Sequence, residues 1–296
     1  ARADYAAIVA SARGMIYTSH GHSAIFDLKL GARGRAILVG NGKGPDDAGS
    51  PPRLWRVSTA AHSAATADGE EHVPIRAVYR FAREVAPVVI AWESTPDYAY
   101  FHGVHEAYNN LPHPVRAAHR KLFYLRGRYW ILVDRFSSGV ADAPHTYRQH
   151  YQVGVPSRLE ADGRCITGGE GGNLMFVPVA GANGEASKTP CPFPLEDYPC
   201  PDQLCYTQRR QGHGLLVTLL APFADAAVPA VSVKMLDVHA DDRTLSRHEA
   251  TGLEIQFGAE RHVYVDLHTH WNLPWECGGH RGDKMLFHSA APGSRA

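Results

Sequence analysis

Residues 121–136 read KLFYLRGRYWILVDRF, and this stretch indicates the fold class more clearly than any other in the chain. Two runs rich in aromatic and aliphatic residues flank the dipeptide Arg126-Gly127. Such runs favour strands, and a glycine between them favours a tight turn because it adopts positive φ without strain. The stretch therefore predicts a β-hairpin.

Alternation with period two continues on both sides of the hairpin. In AIFDLKL (24–30) it places Ile25, Asp27 and Lys29 on one face of a strand, with Phe26, Leu28 and Leu30 on the other. Further strand candidates include PVVIAWES, HTYRQHYQV, GLLVTLLAPF, VSVKMLDV and HVYVDLHTHW. Helical character is confined to the first dozen residues and PVRAAHRK (114–121), and GNGKGPDDAGSPP (40–52) indicates a turn. We expect an all-β protein, a large antiparallel two-sheet sandwich (supersandwich) with few short helices, as one domain over residues 1–296.

Composition excludes several classes of partner. Lys plus Arg and Asp plus Glu each total 30, so no overall charge attracts the chain to nucleic acid or an anionic membrane. No apolar run approaches the roughly 20 residues of a membrane span, and the opening residues lack the features of a signal peptide. Three of the five cysteines lie in CPFPLEDYPCPDQLC (191–205), where a loop disulfide is favoured over a metal site. This favours an oxidising compartment, so we expect a periplasmic or secreted protein.

Histidines are frequent, 18 in all, and several occur in pairs. His20 and His22 flank Gly21 and would share a face of an extended segment, and His62 follows forty residues later. Three imidazoles of this kind can hold a divalent ion, although packing or catalytic roles are open as well. A second metal candidate combines the pair His268 and His270 with Glu276 or His280, and it would indicate a cupin-like protein or a hydrolase.

Four stretches occur in an order that resembles a known family: HGHS with FDLKLGARGRAILVGNG (20–42), RLWRVSTAAHSAATADG (53–69), FHGVHEAY (101–108) and HRKLFYLRGRYWILVDRF (119–136). Together they resemble the C-terminal β-sandwich of the heparinase II/III-like polysaccharide lyases, over about residues 15–155. The resemblance implies β-elimination on a polysaccharide that contains uronic acid.

The resemblance also implies residue roles. His20 corresponds to the active-site histidine, and His22 and His62 to ligands of a structural metal, usually zinc. In the family two aspartates normally complete the metal site with these histidines, and here Ala24 and Gly40 stand at the aspartate positions. Asn41, next to Gly40, is then the candidate for a neutral third ligand. The tyrosine that the family often has between residues 40 and 62 is missing.

Four further residues are candidates for substrate binding. Arg53 and Arg56 could pair with a substrate carboxylate, or be solvated loop arginines. His105 and Tyr108 could contact the substrate, or pack against the sheet. His119 and Arg120 are interpreted as structural, as are Trp130 and Asp134.

In this family an α/α-toroid domain precedes the sandwich and supplies much of the substrate groove. This chain begins almost at the H-G-H motif, so we expect a toroid domain or chain as its partner and an acidic polysaccharide or oligosaccharide as its ligand. The alternative is a non-catalytic carbohydrate-binding or scaffolding sandwich with a degenerate lyase site.

Overall fold

A computed structural model describes residues 4–9, 23–41, 49–77, 80–81, 83, 85–194, 201–269, 272–284 and 286–291. These residues form one α-helix, α1 (Pro51–Val57), one 3-10 helix (Thr59–Ala61) and many antiparallel strands. The strands are β1 (Tyr5–Val9), β2 (Asp27–Ala32), β3 (Arg35–Leu38), β4 (Ala65–Ala67), β5 (Ile75–Ala77), β6 (Arg80–Phe81), β7 (Val88–Ser94), β8 (Tyr98–His105), β9 (Val115–Leu125), β10 (Tyr129–Ser138), β11 (Pro144–Val153), β12 (Ser157–Leu159), β13 (Cys165–Thr167), β14 (Gly172–Pro178), β15 (Glu185–Thr189), β16 (Asp202–Gln211), β17 (Gly214–Ala224), β18 (Val231–Leu236), β19 (His239–Ala240), β20 (Arg243–Thr244), β21 (Ala250–Phe257), β22 (Glu260–Leu267), β23 (Trp275–Cys277), β24 (His280–Gly282) and β25 (Leu286–Ala291).

Two large sheets form the sandwich that the sequence predicts. The first has the order β1-β2-β3-β11-β16-β15, with β4 also paired to β11. The second, called the central sheet below, has the order β12-β13-β14-β17-β10-β9-β8-β7. Their facing side chains form one hydrophobic core that includes Trp130, Tyr147 and Leu216. The all-β sandwich is confirmed.

The opposite face of the central sheet is covered as well. It packs on a sheet of order β18-β21-β22-β25, called the outer sheet below, through residues such as Ile131, Val217 and Tyr264. A third cluster fills the space between the outer sheet and a small sheet of order β20-β19-β23-β24. Because the central sheet is covered on both faces, β10 and β17 are buried almost throughout rather than on alternate residues, and β17 is also apolar almost throughout.

The hairpin of residues 121–136 is confirmed. Strands β9 and β10 pair from Leu125 and Tyr129 onward, and Gly127 in the turn has a φ of 72°. Trp130 stacks on its cross-strand neighbour Tyr124 with ring centroids 4.5 Å apart. The local pattern therefore identified the two strands at the centre of the fold.

Two helix predictions are wrong. Tyr5–Val9 form the edge strand β1, and PVRAAHRK lies mostly in β9, which is paired on both sides by β8 and β10. The helix α1 instead lies partly in the stretch predicted as a turn. Ser50 caps it by accepting a hydrogen bond from the Arg53 backbone N–H at 3.4 Å, and Pro51 and Pro52 occupy its first turn, where proline is tolerated.

The strand predicted for AIFDLKL begins only at Asp27, and within it Lys29 is the one residue that is not fully buried. Ile25 and Phe26 precede β2 and are both buried, and Phe26 has a positive φ of 55°. Cys191 is disulfide-bonded, in agreement with the predicted loop disulfide, whereas Cys200 lies outside the described residues. The thiols of Cys165, Cys205 and Cys277 are free and buried. No helix in the described ranges has the length and apolar character needed to span a membrane.

Candidate functional site

His20 and His22, the two residues of the H-G-H motif, lie outside the described residues. The third histidine of the predicted metal site, His62, ends the 3-10 helix that follows α1. Its side chain is buried, and its Nδ1–H donates to the Ser58 carbonyl at 2.7 Å, which leaves the lone pair on Nε2. Burial lowers the pKa of His62, with an opposing effect from the Asp27 carboxylate. The imidazole is therefore neutral at pH 7, the form that binds metals.

Asn41 lies against the same turn. Its Nδ2 donates to the Ala61 carbonyl and to Gln152 Oε1, the latter at 3.2 Å, and Gln152 in turn donates to the Ala60 carbonyl at 2.9 Å. The Asn41 Oδ1 atom is buried and has no hydrogen-bond partner in the described part of the chain. The structure thus brings Asn41 next to the turn that carries His62, and the side-chain oxygen of Asn41 is left without a hydrogen-bond partner among the described residues.

The described residues contain no group of three His, Cys, Asp or Glu side chains that could hold a metal ion. His22, which the prediction requires, is not among them. A neutral His62 suits a structural zinc ion, whereas the amide oxygen of Asn41 lies outside the usual zinc ligands, which are Cys, His and carboxylate side chains, so the metal stays a prediction.

Arg53 and Arg56 are fully buried on α1, with 0% of each exposed. Arg56 donates to the Asn41 carbonyl and, at 3.2 Å, to the Phe193 carbonyl. It therefore links α1 to the segment of Asn41 and to the Pro-rich loop. The interpretation as solvated loop arginines is wrong, because the helix turns both side chains into the protein.

His105 and Tyr108 pack inside the core. The Tyr108 hydroxyl donates to the Ala65 carbonyl at 3.3 Å, and only 1% of the residue is exposed. The His105 ring lies 4.4 Å from the ring of His72, between centroids, and its Nδ1 accepts from the Ala107 N–H at 3.3 Å. Both residues thus have the packing role that the sequence also allowed, and contact with a substrate stays a prediction.

His72 is a positioning residue that the sequence reasoning missed. Its Nδ1 accepts a hydrogen bond from the Ile25 backbone N–H at 2.8 Å, and its Nε2–H donates to the Ala65 carbonyl at 2.6 Å. Ser23 is held beside it by bonds to Thr59 Oγ1 and to the Val73 backbone. Ser23 and Ile25, which follow the H-G-H motif, are therefore both held in place by hydrogen bonds to the segments of Thr59 and His72. A single histidine in the sequence EEHV carries no signal for this role.

Arg120 and Asp134 have the structural role that was predicted. They form a buried bidentate pair, with Nε–Oδ1 and Nη2–Oδ2 distances of 2.7 Å. The Arg120 Nη1 group also donates to the carbonyls of Phe26, at 2.9 Å, and Ser63. The pair thus ties the start of β2 and the residue after His62 to the central sheet.

The second predicted metal centre is not formed by the described residues. His268 uses both ring nitrogens within the protein: Nδ1 accepts from Lys121 Nζ at 3.0 Å, and Nε2–H donates to Thr251 Oγ1 at 2.9 Å. Glu276 pairs with Arg281, and His280 bonds Ser289. His270 lies outside the described residues.

Comparisons with known proteins agree with this architecture. Residues 4–201 match the model of the heparinase II/III-like C-terminal domain family. The heparan sulfate lyase HepC mutant from Pedobacter heparinus superposes with a TM-score of 0.65 at 15% identity, covering 98% of this chain and 40% of that one. A heparinase III structure gives a TM-score of 0.61 at 16% identity over 83% of this chain and 36% of that one. At these identities the structures establish the fold, and the chain spans about 40% of their length. A search of curated proteins found none that matches.

Proposed function

The chain belongs to the heparinase II/III-like family, and on that premise we propose that it is the β-sandwich part of a polysaccharide lyase. The lyase would cleave glycans that contain uronic acid, of the alginate or glycosaminoglycan type, by β-elimination. The observation that carries the proposal is the family match over residues 4–201.

The reaction needs three things. A base removes the proton at C5 of the uronate, an acid protonates the departing glycosidic oxygen, and a positive or hydrogen-bonding group neutralises the carboxylate. We assign His20 to this active site. Contact of Arg53, Arg56, His105 and Tyr108 with the substrate stays a prediction, and all four side chains are buried in this chain.

A structural divalent ion, most simply zinc, would be held by His22, His62 and Asn41. Its contribution would be to fasten the H-G-H segment to the turn after α1. The hydrogen bond from His62 Nδ1–H to Ser58 supports this assignment, because a second partner of this kind orients a histidine ligand.

The remainder of the groove would come from an α/α-toroid domain or chain, since the solved relatives are much longer than this chain. The disulfide at Cys191 supports a periplasmic or secreted location, because disulfides persist in oxidising compartments.

The lyase activity is tested on the protein together with its toroid partner. Alginate, heparan sulfate, hyaluronan and glucuronan are incubated in parallel, and the ultraviolet absorbance of the unsaturated uronide is followed. We expect an increase on one polymer, its loss in His20→Ala, and no change in His239→Ala, a variant of an exposed histidine on β19. If absorbance increases on none of the four polymers but the protein still binds one of them, the result would favour the non-catalytic carbohydrate-binding sandwich. The presence of Ala24 and Gly40 in place of carboxylates is consistent with that alternative.

The metal is tested by elemental analysis of protein purified without chelators. We expect about one zinc ion per chain, reduced severalfold in His22→Ala and His62→Gln and unchanged in His239→Ala, because structural zinc needs its full set of ligands. A metal-free wild-type protein that keeps its thermal stability in the presence of a chelator would contradict the assignment.

A further inference from the structure

Arg135 is a buried arginine that has no carboxylate partner among the residues that the structure describes. It lies on β10, on the face of the central sheet that packs against the outer sheet, and 5% of it is exposed. Its Nη1 donates to the His248 carbonyl at 3.2 Å and lies 3.3 Å from His248 Nε2. Within the described ranges its Nε has no hydrogen-bond partner and no acidic side chain forms an ion pair with it. A buried, unpaired charge is costly, so such a group calls for a counter-ion.

Imidazoles from β8, from β9 and from the segments before β17 and β21 interact electrostatically with this guanidinium. His119, the neighbour of Arg135 on β9, bonds through Nδ1 to His102 Nε2 at 3.0 Å. His213, just before β17, stacks on His248 with ring centroids 3.6 Å apart and planes 10° apart. His119, His213 and His248 are only partly buried, so this cluster is partly accessible to solvent.

Two more buried nitrogens of the cluster have no partner in the described part of the chain, Nδ1 of His102 and Nδ1 of His248. Together with Arg135 Nε they form a concentration of unsatisfied nitrogen atoms in one region. Buried polar groups are nearly always satisfied, and a group of exceptions points to an unseen ligand, ion or water.

The charges of the cluster sum to about one positive unit. Asp266 is the carboxylate that acts electrostatically on Arg135, but it is already bound by Lys121 Nζ at 2.7 Å, so these two charges compensate each other. Burial lowers the pKa of His102 and His248 to about 3 and that of His119 to about 2, which keeps these imidazoles neutral. Arg135 is left as the net charge. His248 accepts from Arg135 at Nε2 and therefore carries its proton on Nδ1, whereas the hydrogen-bonded pair His102 and His119 has one outward N–H between the two rings.

We propose that Arg135, with His119 and His213 at its rim, binds a monoanionic oxyanion group, a sulfate ester or a carboxylate. Planar guanidinium groups suit these anions because they offer parallel N–H donors, and a single net charge matches a monoanion better than a dianion. The group has two sources, a free small anion or the acid group of a sugar. Only the second source rests on the proposed function.

The test is calorimetric titration of the whole protein with methyl sulfate and with acetate. We expect binding by the wild type and about tenfold or more weaker binding by Arg135→Gln, because a charge-assisted contact is lost. The matched control is Arg209→Gln, which removes the same charge from an exposed ion pair on the first sheet and should bind like the wild type. Equal binding by wild type and Arg135→Gln, or no binding by the wild type, would overturn the proposal.

Two additions separate the sources and protect the test against misfolding. If N-acetylglucosamine 6-sulfate binds more tightly than methyl sulfate and neutral N-acetylglucosamine does not bind, the ligand is the acid group of a sugar. If N-acetylglucosamine 6-sulfate and methyl sulfate bind with equal affinity, the site binds small anions. If Arg135→Gln does not fold, the Arg135 Nε–H resonance of the wild type is followed during titration with methyl sulfate, and an unmoved resonance refutes the site. None of these readouts depends on cleavage of a polysaccharide, so the experiment distinguishes a failure of the anion-binding proposal from a failure of the lyase proposal.

Discussion

Asp134→Ala is expected to lower the free energy of unfolding by about 3–5 kcal/mol, one of the largest effects of any single substitution in this chain. The change leaves the Arg120 guanidinium buried without its counter-ion and removes the acceptor for Gln149 Nε2, which lies 2.7 Å from Asp134 Oδ2. Urea unfolding followed by tryptophan fluorescence measures the loss.

A matched control is Asp162→Ala, which breaks an exposed pair with Arg164. It should change stability by about 1 kcal/mol or less, since exposed ion pairs are solvated in both states. The double variant Arg120→Met/Asp134→Leu should recover part of the loss, because it removes both charges. Recovery would be incomplete, since the carbonyls of Phe26 and Ser63 lose their donor. A loss of less than 1 kcal/mol in Asp134→Ala would contradict the assigned structural role.

Acid is expected to unfold the protein well above the pH at which carboxylates titrate. His102, His150 and His268 are buried, and burial lowers their pKa values from 6.5 to about 3, 3 and 4. Between about pH 6.5 and 4 the unfolded chain therefore binds protons that the folded chain does not. Stability is retained above pH 6.5 and falls as the pH is lowered through this window.

The size of the loss of stability follows from the difference in the number of protons bound by the unfolded and the folded chain. Between pH 7 and pH 5 each of these histidines should remove about 1.5–2 kcal/mol, and the three together about 5 kcal/mol, a large part of the stability of an ordinary domain. Urea midpoints at several pH values measure the effect. His150→Gln should reduce the slope of stability against pH by about one proton, because it removes one of the buried imidazoles. A urea midpoint that is constant from pH 7 to pH 5 would contradict this prediction.

Some parts of the site could be anticipated and others could not. The resemblance grouped Asn41 with His62 as metal ligands, which stays a prediction, and the Asn41 side chain donates to the Ala61 carbonyl in the turn that precedes His62. The burial of Arg53 and Arg56 was not anticipated, because the sequence indicated a loop where α1 forms, and only a helix turns both side chains inward. His72 and Arg135 carried no local signal, since their roles depend on groups that lie far away in the chain.

The sequence by itself determined the all-β class and the central hairpin, because alternation and a turn glycine act over neighbouring residues. It misjudged PVRAAHRK, whose alanines and basic residues favour a helix locally, since pairing with β8 and β10 outweighs that preference. Only the tertiary structure decided which buried charges meet. Lys121 and Asp266 are 145 positions apart, and they pair because the outer sheet covers the second face of the central sheet. Among the described residues, the same packing leaves Arg135 without a carboxylate partner, since an ion pair depends on which strands lie opposite each other and not on which residues are adjacent in the chain.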